Sequence, residues 1–167
     1  MKQFRSLLVV GLMLQLAVSV QGDAAYKGET ETIKTAQIIA IVEISATEKV
    51  SVQGKYWNYG QKATAKTEKV LKGELGENAA FYGDENFICA QCHFEVGRFL
   101  VFLDRDGELL TGNNWHLSAR KISGETVEWF DNKNFFQPKI APLFEVEEEI
   151  SRVIANTKES EPKKAEK

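Results

Sequence analysis

The two cysteines of this 167-residue chain fall in one short word, Cys89-Ala90-Gln91-Cys92-His93. Four chemistries fit that spacing. Thiols at i and i+3 add to the vinyl groups of a haem while a histidine at i+4 binds the iron, which is the attachment signature of exported c-type haem proteins. Such a word normally sits on a helix, and the sixth position would fall to His116 or stay open, because both methionines lie near the N-terminus. A zinc ion would need Cys89, Cys92, His116 and His93, yet adjacent Cys92 and His93 are poorly placed to face one tetrahedral centre. Thiol-disulfide exchange would need a lowered thiol pKa, whereas Glu85 and Glu95 flank the pair and no thioredoxin-like βαβ pattern surrounds it. The fourth reading is structural: an oxidising compartment closes Cys89 and Cys92 into a local disulfide, or they stay buried thiols, with His93 and His116 as ordinary polar side chains. The residues favour this structural reading, leaving haem, zinc and redox chemistry as alternatives.

The compartment follows from the first 22 residues. Lys2 and Arg5 precede an apolar run, Leu7 to Val20, too short to span a bilayer, and Val20-Gln21-Gly22 offers small residues for cleavage. Residues 1–22 therefore read as a signal peptide, and the protein as secreted or periplasmic, with no membrane span after cleavage. Cleavage removes two basic residues and no acidic ones. It leaves 145 residues carrying 19 Lys and Arg against 24 Asp and Glu, a net charge of −5. An acidic exported domain of this length is a poor ligand for nucleic acid, and two cysteines are too few to scaffold it, so its apolar residues must hold the fold.

Those residues have mostly strand periodicity. Ala36 to Ser45 is apolar on both alternating faces and reads as a central strand; Gln61 to Leu71 alternates and reads as a half-exposed one. Ala79 to Tyr82 is a third strand, and Arg98 to Asp104 a fourth, closed by an Asp106-Gly107 turn so that Glu108 to Leu110 pairs back. Trp115 to Ile122 and Thr126 to Phe130 are further strands. Leu143, Val146, Ile150 and Val153 then recur at helical spacing after Pro142, which predicts an amphipathic C-terminal helix over about 142–155 with Trp129 and Phe130 packed beneath it. The expected organisation is a polar segment at 23–32, a β-domain at 33–140, the helix within 141–156 and a disordered charged tail at 157–167.

The order of these segments resembles a known family. Ala36-Gln-Ile-Ile-Ala-Ile-Val42, Lys69-Val70-Leu71-Lys72-Gly73, a cysteine just before Phe94-Glu95-Val96-Gly97, and Phe99-Leu100-Val101-Phe102-Leu103 are similar to the bacterial secreted relatives of the tissue inhibitors of metalloproteinases, the netrin-like proteins. The likeness covers roughly residues 33 to 130. It implies a mainly β fold, a five-stranded OB-type barrel, and a role as a binding module or inhibitor. The animal inhibitors place an N-terminal cysteine on the protease zinc, whereas here no cysteine precedes Cys89, so that mechanism does not carry over. Where relatives pair a cysteine at the place of Cys92 with one after the long strand, this chain has Thr111-Gly112-Asn113-Asn114-Trp115-His116, leaving Cys89 as the intramolecular partner the resemblance implies.

No nucleophile elbow, phosphate loop or metalloprotease signature is present, so an enzyme is not expected. Asp104, Asp106 and Glu108 suggest calcium, but no EF-hand loop follows, and a hairpin tip accounts for them. The feature best suited to a partner is the predicted loop Thr47 to Gln61, which carries Tyr56, Trp57 and Tyr59 and neighbours the cysteine word. If Trp57 and Tyr59 are exposed they anchor a partner; if they fold inward they cover the barrel. The sequence therefore reads as a monomeric, non-enzymatic module without a cofactor that binds another exported protein.

Overall fold

The computed structural model describes residues 26–83, 91–131 and 134–160. The predicted signal peptide, Cys89 and the chain end beyond Ser160 lie outside the described residues.

A short helix, α1 (Glu29–Thr35), leads into eight strands: β1 (Ile38–Gln53), β2 (Asn58–Lys72), β3 (Asn78–Gly83), β4 (Gly97–Asp106), β5 (Leu109–Gly112), β6 (Ala119–Ser123), β7 (Thr126–Asp131) and β8 (Asn134–Pro142). A C-terminal helix, α2 (Leu143–Ser160), ends the described chain. The first five strands close on themselves in the order β1-β2-β3-β5-β4, because β1 pairs with both β2 and β4. All these ladders are antiparallel except β3 with β5. This is a closed five-stranded barrel of OB type in a mainly β protein. Strand β6 pairs with β4 outside the barrel, and β7 and β8 extend the sheet from it.

The double-sided apolarity of β1 and β4 now has a cause. Successive strand side chains point to opposite faces. Ile38, Ala40, Val42 and Ile44 of β1 meet Phe99, Val101 and Leu103 of β4 inside the barrel, with Phe81, Phe94 and the small Ala63 and Ala65. The alternate residues Ile39, Ile41, Leu100 and Phe102 face a second core, shared with Ile33 of α1, Trp129 of β7 and Leu143, Val146, Ile150 and Val153 of α2. One pair of strands thus serves two cores back to back.

Several boundaries differ from expectation. The loop expected over Thr47 to Gln61 is mostly strand: β1 runs to Gln53 and β2 starts at Asn58, so the two form a ribbon closed by a four-residue tip, Gly54 to Trp57. β1 stays continuous through four register shifts, and its outer half is largely exposed, which its polar sequence allows. The strand expected at Trp115 begins with a 3-10 turn, Trp115–Ser118. Helix α1 lies in the segment expected to be only polar: Ile33 and Ala36 are its apolar anchors, and Lys72 Nζ donates to the terminal carbonyls of Ile33 (2.9 Å) and Lys34 (2.8 Å). α2 continues past residue 156 because hydrogen bonding outlasts its apolar stripe, as where Thr157 Oγ1 donates to the Val153 carbonyl.

Ile150 is fully buried where α2 meets the second core. An Ile150→Ala variant is expected to lose about 2–5 kcal/mol of stability through lost burial and a residual cavity, read by thermal unfolding followed by circular dichroism; a loss under about 1 kcal/mol would mean that α2 adds little to the fold.

Candidate functional site: an aromatic cleft at one end of the barrel

β2 begins, and β3 and β5 end, at the same end of the barrel. There a cleft of about 250 Å³ is lined by Trp57, Tyr59, Tyr82, Trp115, Lys27, Asn113 and the Cys92 side chain, among others. Four aromatic residues and few charges give it the lining that suits an apolar or aromatic group, with amide, hydroxyl and ammonium groups among the residues around it.

Each wall is positioned by an identifiable interaction. The ribbon tip is held by Asp106, a carboxylate only 4% exposed at the end of β4. The Tyr59 hydroxyl donates to it at 2.9 Å, and the Tyr56 backbone N–H donates to its two oxygens at 3.1 and 3.2 Å. A buried carboxylate left without such donors would be costly, so the tip is fixed and Trp57 is presented rather than loose. Gly54 passes so close that a side chain there would collide with the Asp106 carboxylate and the Tyr59 ring. Within the tip, Gly54 N–H donates to the Trp57 carbonyl at 2.7 Å.

The opposite wall rests on Asn114, which is 1% exposed. Its side chain accepts from Lys27 N–H (3.0 Å) and donates to the Lys27 carbonyl (2.9 Å) and Thr32 Oγ1 (2.8 Å), while its own N–H donates to Ser118 Oγ (2.7 Å). The segment before α1 is thereby bound to the loop after β5. Trp115 follows with φ of +50°, the left-handed region that costs a non-glycine residue roughly 1–2 kcal/mol. Trp115 then lines the cleft.

The partner-surface residues divide. Tyr56 and Trp57 are exposed, at 67% and 48%, whereas Tyr59 is buried at 5%. Exposure of Tyr59 is thus corrected: it shares the inward phase of β2 with Gln61, Ala63 and Ala65, so its ring forms cleft wall beside Tyr82, 6.4 Å away between centroids.

Of the cysteine word, Gln91, Cys92 and His93 are described. The segment is extended, with Cys92 and Phe94 buried and His93 exposed between them. Gln61 fixes it with two bonds to Phe94, donating to the carbonyl at 2.9 Å and accepting from the N–H at 2.8 Å. The Cys92 sulfur packs into the space left by Gly112, beside Ser118. This geometry turns Cys92 and His93 to opposite faces, whereas a covalently attached porphyrin needs thioether and imidazole on one face. His116 is edge-on to Tyr26 (5.2 Å) and Phe130 (6.4 Å). Among the described residues no three His, Cys, Asp or Glu side chains are grouped to hold a metal ion, so the zinc set is not brought together there. Asp104 accepts from Gln37 N–H and Asn113 Nδ2, while Asp106 holds the ribbon tip, so the two carboxylates suspected of binding calcium serve separate donors. Among the described residues no helix is long and apolar enough to cross a membrane.

Sequence reasoning missed Lys27, Tyr82 and Trp115 as cleft walls and Asp106 as the anchor. The phase of Tyr59 with Ala63 and Ala65 was the available signal that its ring takes the inward face. Comparison with known protein families and with curated proteins finds no match.

An Asp106→Ala variant leaves the Tyr59 hydroxyl and the Tyr56 N–H without their acceptor, a loss of about 1–3 kcal/mol. Hydrogen exchange is expected to quicken at residues 54–57 while β4 stays protected; unchanged exchange at the tip would show that Asp106 does not hold it.

Proposed function

We propose that this protein is an exported, non-enzymatic binding module that grips another exported protein by seating one of its apolar or aromatic side chains in the cleft, with Tyr56 and Trp57 covering the inserted group. The observation that carries this reading is an aromatic cleft beside an exposed Trp57 whose ribbon is locked by a buried carboxylate. Tyrosine and tryptophan are efficient anchors because they bury much area while losing few rotamers. A fixed tip lowers the ordering cost of binding further. Kinship with the netrin-like secreted proteins belongs to this proposal and is supported by the barrel order and the C-terminal helix. The module acts as a monomer and needs no cofactor.

A photo-crosslinking residue at position 56, in the protein exported from its own cells, is expected to trap one discrete partner. Trp57→Ala or Trp115→Ala should weaken that partner's affinity at least about tenfold, the loss of a typical aromatic hot spot. An identical adduct pattern from a probe on the far side, at Glu148, would overturn the reading. The same reading expects a colourless protein when the chain is exported alongside c-type haem maturation; a covalent mass gain of one haem would replace it with the haem alternative.

A further inference from the structure

Two cations of this chain are set among aromatic rings, and the fold treats them differently. Arg120 of β6 is 1% exposed, with its guanidinium over the rings of Trp129 (4.2 Å), Phe102 (4.5 Å) and Phe130 (5.7 Å). A charge so far from water needs counter-charge, and Glu29 of α1 and Glu149 of α2 supply it. Lys27, two residues before α1, is half-buried in the lining of the cleft with Trp57, Tyr59, Tyr82 and Trp115. It has no such acid: its Nζ donates to the neutral Asn113 carbonyl at 3.0 Å, and among the described residues no carboxylate forms an ion pair with it.

The cleft therefore carries charge of one sign. The chain as a whole is acidic, at −3, yet of the described residues that line the cleft Lys27 alone is charged. The acid reached through Asn113 is Asp104, and its oxygens already accept from Asn113 Nδ2 at 2.6 Å and Gln37 N–H at 3.1 Å. Aromatic walls by themselves would suit a cation, but an ammonium among them repels one and attracts an acid. A neutral apolar group seated there would take that ammonium further from water with no partner, which is costly; a carboxylate beside the ring removes the cost and adds a charge-assisted hydrogen bond. The space agrees. A cavity of about 150 Å³ accepts a benzene ring, so a cleft of about 250 Å³ holds a ring and leaves roughly 100 Å³, the room of about three water molecules. That suits a carboxylate on the same residue as the ring, which is what a chain end provides.

We propose that the cleft takes the C-terminal residue of its partner: an aromatic or large apolar side chain enters between Trp57, Tyr59, Tyr82 and Trp115, and its α-carboxylate pairs with the Lys27 ammonium. This rests on the cleft being the binding site. Because one residue brings both groups, no second residue of the partner has to be ordered to deliver the charge. Lys27 is held in place by backbone bonds that do not involve its ammonium: its N–H donates to Asn114 Oδ1 at 3.0 Å, and its carbonyl accepts from Asn114 Nδ2 at 2.9 Å. Removing the charge alone thus leaves the segment tied to the loop after β5.

The test is NMR of the protein purified after export, following the indole N–H signals of Trp57 and Trp115 and the amide of Lys27 as peptides are added to millimolar concentration. A tripeptide ending in phenylalanine with a free carboxylate is expected to shift all three signals. Its C-terminal amide should bind at least about tenfold more weakly, as should a free-acid peptide of the same composition with the phenylalanine in the middle. In Lys27→Met, which keeps the apolar stem, the free acid should fall to the level of the amide. Equal affinity of acid and amide overturns the carboxylate pairing and leaves the aromatic cleft standing as a binding site. A preference for the acid that survives in Lys27→Met overturns the role of Lys27. Equal binding of the peptide with the internal phenylalanine overturns recognition of a chain end, and tighter binding of N-acetylphenylalanine than of the tripeptide assigns the cleft to a small aromatic acid instead. Signals unmoved by every peptide overturn the proposal as a whole, and the crosslinking at position 56 then decides separately whether this face binds a partner.

Discussion

The rest of the structure depends on β1 being bonded along both edges. From Ile38 to Ile44 it pairs with β4 on one side and β2 on the other, and this closes the barrel. Closure removes the free edges that a twisted five-stranded sheet would otherwise expose. It also forces β1 and β4 to bury both faces, because the inside of the barrel is one core and the helix layer outside is another. A polar residue in this stretch is tolerated only where neither core lies, and Glu43, exposed opposite Arg98, occupies that place.

Polar anchors then complete what apolar packing leaves undetermined. Packing fixes the strands but gives no instruction to the ribbon tip or the loop after β5, which carry little buried apolar surface. Asp106 and Asn114 supply that instruction. Each is buried, each receives or makes several bonds, and each joins segments far apart in sequence, Tyr56 to β4 and Lys27 to the loop before β6. Such bonds select one arrangement because the alternative leaves a buried polar group unsatisfied. The aromatic cleft is therefore preformed by two side chains that contribute no surface to its walls.

Much of this was legible from sequence, and the rest was not for definite reasons. The two-sided apolarity of Ile38 to Ile44 and of Phe99 to Leu103 announced central strands, and the spacing of Leu143, Val146, Ile150 and Val153 announced α2. The ribbon was read as a loop because Thr47 to Asn58 holds no buried residue; two exposed strands that pair with each other lack the periodicity on which recognition rests. Helix α1 was missed because its two apolar anchors, Ile33 and Ala36, are too few to register, and its ends are held by Lys72 and Asn114 from distant parts of the chain. Tyr59 was misplaced although its phase with Ala63 and Ala65 was visible, because the tip was assumed to lack strand geometry. Arg120 carries no sequence sign of burial at all: only the arrival of Phe102, Trp129 and Phe130 around it makes a charged residue a core residue.

That buried arginine explains why the second core cannot be a passive layer. An aliphatic residue in its place would satisfy packing between β6 and the helices without recruiting any acid. With a guanidinium there, carboxylates must come near it, and Glu29 of α1 and Glu149 of α2 supply them. A second cation, Arg152 of α2, reaches Glu149 at 3.8 Å, so two cations face two carboxylates. Since α1 is also bonded through Lys27 and Thr32 to the Asn114 loop, the buried guanidinium and the aromatic cleft are separated by a single short helix and its leading residues. A hydrocarbon second core would have held α1 by packing alone; the guanidinium adds a requirement for acid at one place on α1, which fixes how that helix, and Lys27 before it, is seated.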